Sequence, residues 1–420
     1  MRAGPVLAAA ALALAALGPA AASERIEQLE ALAERGFADA QAALGYAYAT
    51  GEGVAADPAA AERWYRAAAE QGEPTAVLNL AVLLDARGDH AEAARWYEAA
   101  AVEGHPRAAA ALGLMYEEGR GVAQDLAAAV RWYRIAADAG VPEAQANLAR
   151  YYLRGVEVPA DTAEAVRLLE TAAGEGLVDA QLALGLLYER GEGIARDPAA
   201  AERWFRAAAE AGDTTAMAEL GALILKSSGD RAAARQWLSR AAGAGVLAAQ
   251  LDLADLASAD GDHAEAVRWL TAAAEQGDVA AQNNLGRAYD LGLGVPRDVE
   301  AAIAWYRQAA EQGYPPAQFN LALKLAAGDG LPADTDAARA LFRSAAEQGH
   351  PPAMLNLGII LANSATDAED LAEAYSWIRV AVDAGVPNAF DALRALSASM
   401  SDADIEAGQA LAATRPPVRF

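Results

Sequence analysis

Apolar positions in this chain recur every three or four residues in short runs, and glycine cuts the runs. Residues 281–313 show the unit in full. Ala281, Leu285 and Tyr289 fall on one face of a first helix, because every fourth side chain returns to nearly the same side. Ala302, Trp305 and Ala309 draw the same stripe on a second helix. Between the runs stands Gly292-Leu293-Gly294-Val295-Pro296-Arg297, a loop signal. Asp298 is placed to accept from the free N–H groups that open the second helix, and Gly313 to end it in a left-handed conformation.

The second-helix register recurs along the chain. With the capping Asp as zero, Ala falls at +4, Trp or Leu at +7, Ala at +11 and Gly at +15. It fits ten times, from Asp57, Asp89, Asp125, Asp161, Asp197, Asp230, Asp262, Asp298, Asp334 and Asp370. All eight tryptophans occupy +7 (Trp64, Trp96, Trp132, Trp204, Trp237, Trp269, Trp305 and Trp377), with Leu168 and Leu341 in the other two repeats. Self-similarity at a fixed period marks a repeat array. Three short repeats drop the glycine loop and turn with Arg87-Gly88-Asp89, Ser228-Gly229-Asp230 and Asp260-Gly261-Asp262. Repeat 4 loses its second loop glycine in Gly155-Val156-Glu157-Val158, and the last repeat substitutes Asn363-Ser364-Ala365-Thr366-Asp367.

These motifs resemble the Sel-one-like repeats, close relatives of tetratricopeptide repeats. The family pattern is A-x-x-x-L-G-x-x-Y, a G-x-G-V-x-x-D loop, then A-x-x-W-x-x-x-A-A-x-x-G. Residues 180–212 match it nearly in full through Ala180, Leu184-Gly185, Tyr188, Gly191, Gly193-Ile194, Asp197, Ala201, Trp204, Ala208-Ala209 and Gly212. The resemblance covers about residues 38–389. It implies an all-α fold, a right-handed α/α superhelical solenoid of ten two-helix repeats whose first helices line a concave surface. Each repeat buries its apolar face only against a neighbour, so helical caps are expected at both ends. The expected organisation is a signal peptide over 1–22, a capping helix over 23–37, repeats over 38–388, and capping helices with a frayed tail over 389–420. The first cap, Ser23–Gly36, carries Ile26, Leu29 and Leu32 on one side.

Composition adds less than periodicity. The chain is 54 % hydrophobic but only 6 % aromatic, much of it alanine, which favours close-packed helix. A formal charge of −25 disfavours nucleic acid and anionic membrane surfaces, which need a basic footprint, and suits a basic protein or peptide partner. The simpler account of the charge is solubility. Arg2, an apolar run from Val6 to Leu17 and Gly18-Pro19-Ala20-Ala21-Ala22-Ser23 have the layout of a secretory signal cleaved after Ala22. The run is short for a membrane span, so a periplasmic or secreted protein with no membrane insertion after cleavage is expected, an uncleaved anchor being the alternative. No cysteine is present, so neither a disulfide nor a lipidated cysteine can form.

Candidate chemistry is sparse. The Gly-x-Gly loops follow helices rather than strands and recur at the repeat period, unlike phosphate cradles. The tryptophans lie between alanines of the packing stripe and read as inter-helix core. The four histidines (His90, His105, His263 and His350) show no metal-ligand spacing, and no nucleophile–base grouping is visible, so no cofactor, metal or catalytic residue is expected. One constellation stands out. Asn79, Asn147, Asn284, Asn320 and Asn356 precede the first-helix Leu, three of them in consecutive repeats. The resemblance places this position on the concave helix, where an amide that both donates and accepts can bind an extended peptide backbone. Asn283, Arg287 and Lys324 add polar and positive character nearby. The competing account is that these amides satisfy backbone groups between helices. A non-enzymatic scaffold of the cell envelope binding a protein or peptide is therefore expected. The alternatives are a cell-wall-directed hydrolase, whose exported relatives are cysteine-rich, and a peptidoglycan- or polysaccharide-associated structural protein.

Overall fold

A computed structural model describes residues 19–418; the expected signal segment lies outside the described residues up to position 18. Among the described residues there are 23 helices and no strand, an all-α solenoid of helix pairs. The chain divides into two compact units, Met1–Ala211 and Gly212–Phe420. Within each unit the first helix of a repeat packs on its second, and the second packs on the next first helix.

Capping sets the phase. Asp298 Oδ1 accepts from Ala301 N at 3.0 Å, and Asp57, Asp125, Asp161, Asp197, Asp230, Asp262 and Asp334 cap their helices in the same way. The loop then closes by a backbone bond across it, as from Asp298 N to Tyr289 O at 2.9 Å. Two repeats differ. Asp89 makes no cap bond and is engaged instead by Arg87. In the last repeat Asp367, not Asp370, is the cap, so the helix Ala368–Asp383 starts a turn early, while Asp370 Oδ2 accepts from Thr366 N at 2.8 Å. In repeat 4, Glu157 holds the left-handed position of the missing glycine, with φ 59°.

The core stripe corrects one sequence expectation. Tyr65, Tyr97, Tyr133, Leu169, Phe205, Leu238, Leu270, Tyr306, Phe342 and Ile378 at +8 are buried. Seven tryptophans at +7 are only half-buried at the margin of that core, because one residue turns the side chain about 100° around the helix. Trp377 alone is fully buried among them, at 1 % exposure. The first-helix glycine belongs to the same packing: a Cβ on Gly45, Gly113, Gly185 or Gly286 would stand 2.4–2.8 Å from the facing ring.

The ends are closed by helices. Pro19–Glu34 runs through the Ala22–Ser23 junction and packs through Ile26 and Ala33, whereas Leu32 is exposed. Ala389–Ser397 and Asp402–Ala412 both pack on Ala368–Asp383. The expected frayed tail is anchored at its start. Arg415 Nε and Nη2 donate to Ser376 Oγ at 3.0 and 2.8 Å, and its guanidinium lies 4.0 Å from the Trp377 ring centre.

Candidate peptide-binding face

The first helices Val279–Leu291, Pro315–Ala327 and Pro351–Ser364 carry the candidate amides in the second unit. Asn320 Nδ2 donates to Asn283 Oδ1 at 2.8 Å, joining successive first helices through their side chains. Asn283 is buried, at 7 % exposure, and Asn284 beside it is exposed. Arg287, one turn on, is exposed and forms no ion pair among the described residues. In the next two repeats its position holds Leu323 and Ile359, each 38 % exposed. Amide, cation and apolar side chains thus share one face.

The remaining candidates are tied down. Asn356 Nδ2 donates to Pro352 O at 2.9 Å within its own helix. Lys324 is nearly covered and is held by Asp290 and by Asp329, the latter at 2.8 Å. Burial pulls its ammonium down, but those two carboxylates outweigh it and keep Lys324 above the ordinary lysine value, while Asp329 is held below its own. In the first unit Asn79 stands beside the Tyr65 hydroxyl, and Asn147 Oδ1 lies 3.5 Å from Arg150 Nη2.

A carboxylate set explains why so little positive character survives. Glu117 accepts from Arg150 at 2.7 Å and from the Tyr133 hydroxyl at 2.7 Å, just as Asp290 takes Lys324. Asp85 takes His90 at 2.8 Å and Arg120 at 3.5 Å. These acids stand nine residues after the first-helix Ala and face a cation of their own repeat's turn or the next repeat. Burial, then the negative Glu117, pushes the Tyr151 hydroxyl up to about 12.

Sequence reasoning also missed a buried glutamine ladder. Gln41, Gln145, Gln181, Gln250, Gln282 and Gln318 each donate to the carbonyl of Ala33, Ala137, Ala173, Ala242, Ala274 or Ala310, eight residues upstream. The signal was present as a glutamine after the first-helix Ala in six repeats. No group of three or more His, Asp or Glu placed to hold a metal occurs among the described residues. Nor is any helix among them long and apolar enough to cross a membrane.

The Sel1 repeat model matches ten consecutive segments, 38–73, 79–105, 106–141, 142–177, 178–213, 214–246, 247–278, 279–314, 315–350 and 351–386. The chain belongs to the Sel1 repeat family. Among solved Sel1 repeat structures it is 30 % identical to a protective antigen present in uropathogenic Escherichia coli strains, described as displaying an SLR fold. That match covers 93 % of this chain and 94 % of the antigen, with a TM-score of 0.51. A Sel1 repeat protein from Oxalobacter formigenes is also 30 % identical, covering 84 % of this chain and 96 % of its own, with a TM-score of 0.45. None of the curated proteins matches the chain. Sel1 repeats generally mediate protein–protein interaction and are typically a non-catalytic scaffold fold.

Proposed function

We propose that this Sel1 repeat protein is a non-enzymatic scaffold of the cell envelope that binds a protein or peptide along its first-helix face in repeats 8–10. The observation that carries the reading is the Asn283–Asn320 bond of 2.8 Å with exposed Asn284 and Arg287 beside it. The fixed, buried Asn283 donates to Asn284 Oδ1 at 3.5 Å, and the exposed Asn284 amide keeps its Nδ2 donors and a second lone pair for an extended backbone. Arg287 suits a carboxylate of the ligand, and Leu323 and Ile359 suit its apolar side chains. The overall charge of −25 favours a partner that is basic elsewhere on its surface. Envelope location rests on the segment over residues 1–22.

Of the eight candidates, Asn284 and Arg287 are assigned direct contact and Asn283 and Asn320 support. Lys324, Asn356, Asn79 and Asn147 are assigned structural roles. The test is affinity capture from envelope extract with the wild type, with Asn284→Ala/Arg287→Ala, and with Asn356→Ala. The first and third are expected to retain a common protein that the double variant loses, with all three melting alike. A partner held equally by all three, or none in the envelope fraction, would refute the assignment.

A further inference from the structure

The second helices of the first unit carry a feature unrelated to the amide face. One position after the second-helix register's +5, each repeat of this unit has an arginine: Arg63, Arg95, Arg131, Arg167 and Arg203. All five are exposed. Their helices, Pro58–Ala69, His90–Val102, Leu126–Asp138, Thr162–Gly174 and Pro198–Glu210, succeed one another in the second-helix layer. The bond from Arg66 to Glu92 ties the first two of them side by side.

Pairing separates these arginines by what stands next to them. Arg63, Arg95, Arg131 and Arg203 each adjoin a half-buried tryptophan, Trp64, Trp96, Trp132 or Trp204, and none forms an ion pair among the described residues. Arg167 adjoins Leu168, which is buried, and is held by Glu164 at 2.6 Å. Acids are not scarce here: Glu62 and Glu92 take Arg66, and Glu202 takes Arg206. In a chain of net charge −25 the column therefore keeps unpaired cations only where an indole accompanies them.

We propose that this arginine–tryptophan column binds an acidic polysaccharide, a glycan of carboxylate-bearing sugars. A guanidinium matches a carboxylate with two parallel N–H donors. An indole margin offers a flat apolar face to the C–H side of a sugar ring. The flanking positions are mostly small and apolar, Ala59, Ala91, Ala99 and Ala127 among them, and supply no amide for a peptide main chain. An extended peptide advances about 3.3 Å per residue and would leave most of its backbone groups unmatched on this face. Nucleic acid carries charge more densely than such a glycan, so the acidic chain of net charge −25 repels it more strongly.

The test uses the full chain at low salt, titrated calorimetrically with a hyaluronan decasaccharide, in which acidic and neutral sugars alternate. The comparison ligands are neutral chitohexaose and a polyglutamate of equal charge. Hyaluronan is expected to bind at least tenfold more tightly than either, weakening as salt is raised. Arg63→Gln/Arg95→Gln/Arg131→Gln should weaken it at least tenfold, the corresponding Lys triple less so, and Asn284→Ala/Arg287→Ala not at all. The substitutions are at exposed positions, and an unchanged circular dichroism melt verifies the fold. Absence of hyaluronan binding, binding unaffected by the Gln triple, or polyglutamate binding equally well would overturn the proposal.

Discussion

His350 stands where other repeats have an acidic cap. Asp213 and Asp278 accept from Ala216 N and Ala281 N at 2.6 and 2.7 Å, and His350 Nδ1 accepts from Ala353 N at 3.3 Å. A ring nitrogen can accept only when it carries no proton, so this cap requires the neutral imidazole. The ring also packs 5.1 Å from Phe319, and burial holds its pKa below the ordinary histidine value. The sign of the pH effect follows. An unfolded histidine titrates near 6.5, roughly, while the folded one takes its proton only at lower pH. Below about 6.5 the unfolded chain therefore binds more protons, and stability falls as pH falls. We expect the wild type to lose more stability between pH 7.5 and pH 5.5 than His350→Asn, which keeps an acceptor without titrating. Parallel urea-midpoint losses in the two proteins would show that His350 is not the titrating group.

At the scale of the element, the glutamine ladder is complete in some repeats and broken in others. Gln71, Gln276, Gln312 and Gln348, just before the glycine that follows each second helix, donate to Gln41, Gln250, Gln282 and Gln318 at 2.6–3.1 Å. Repeats 4 and 5 have Glu175 and Ala211 there, and the buried Oε1 atoms of Gln145 and Gln181 have no partner. An ionised carboxylate cannot donate, so Glu175 cannot complete the bond. Glu175→Gln should raise the unfolding free energy by about 0.5–1.5 kcal/mol, read as a higher urea midpoint at unchanged slope. No gain would mean the Gln145 oxygen is already satisfied. The same element shows what periodicity could and could not reveal. Helix starts were legible because a capping Asp acts through its own backbone neighbourhood. The core ring was misassigned because Trp64 and Tyr65 are adjacent, and size favoured the wrong one of the two. The amide row was legible as a pattern, but its partners were not. Whether Lys324 is free depends on Asp290 in the preceding repeat, a contact that only the stacking of first helices creates.

At the scale of the molecule, contacts run from each helix mainly to its nearest neighbours in its own unit, so stability is a sum of local terms and unfolding need not be all-or-none. The last repeat would expose Tyr375 and Trp377 without the C-terminal cover. Gly408 of Asp402–Ala412 lies so close to Tyr375 that an added Cβ would stand 2.6 Å from Cδ1, repeating the glycine–ring packing of the array. Arg415 completes the cover through Ser376 Oγ, the Trp377 face and Glu373 at 3.7 Å. A charged hydrogen bond and a largely desolvated cation–π contact together contribute on the order of 2 kcal/mol. Arg415→Ala should therefore speed amide exchange in Ala368–Asp383 by roughly thirtyfold, the equivalent of that energy. Exchange in Pro58–Ala69 and Leu126–Asp138, in the other unit, should not change. A uniform rise throughout the chain would mean that the two units unfold as one cooperative body. No rise in the last repeat would mean that Asp402–Ala412 covers it without help from Arg415.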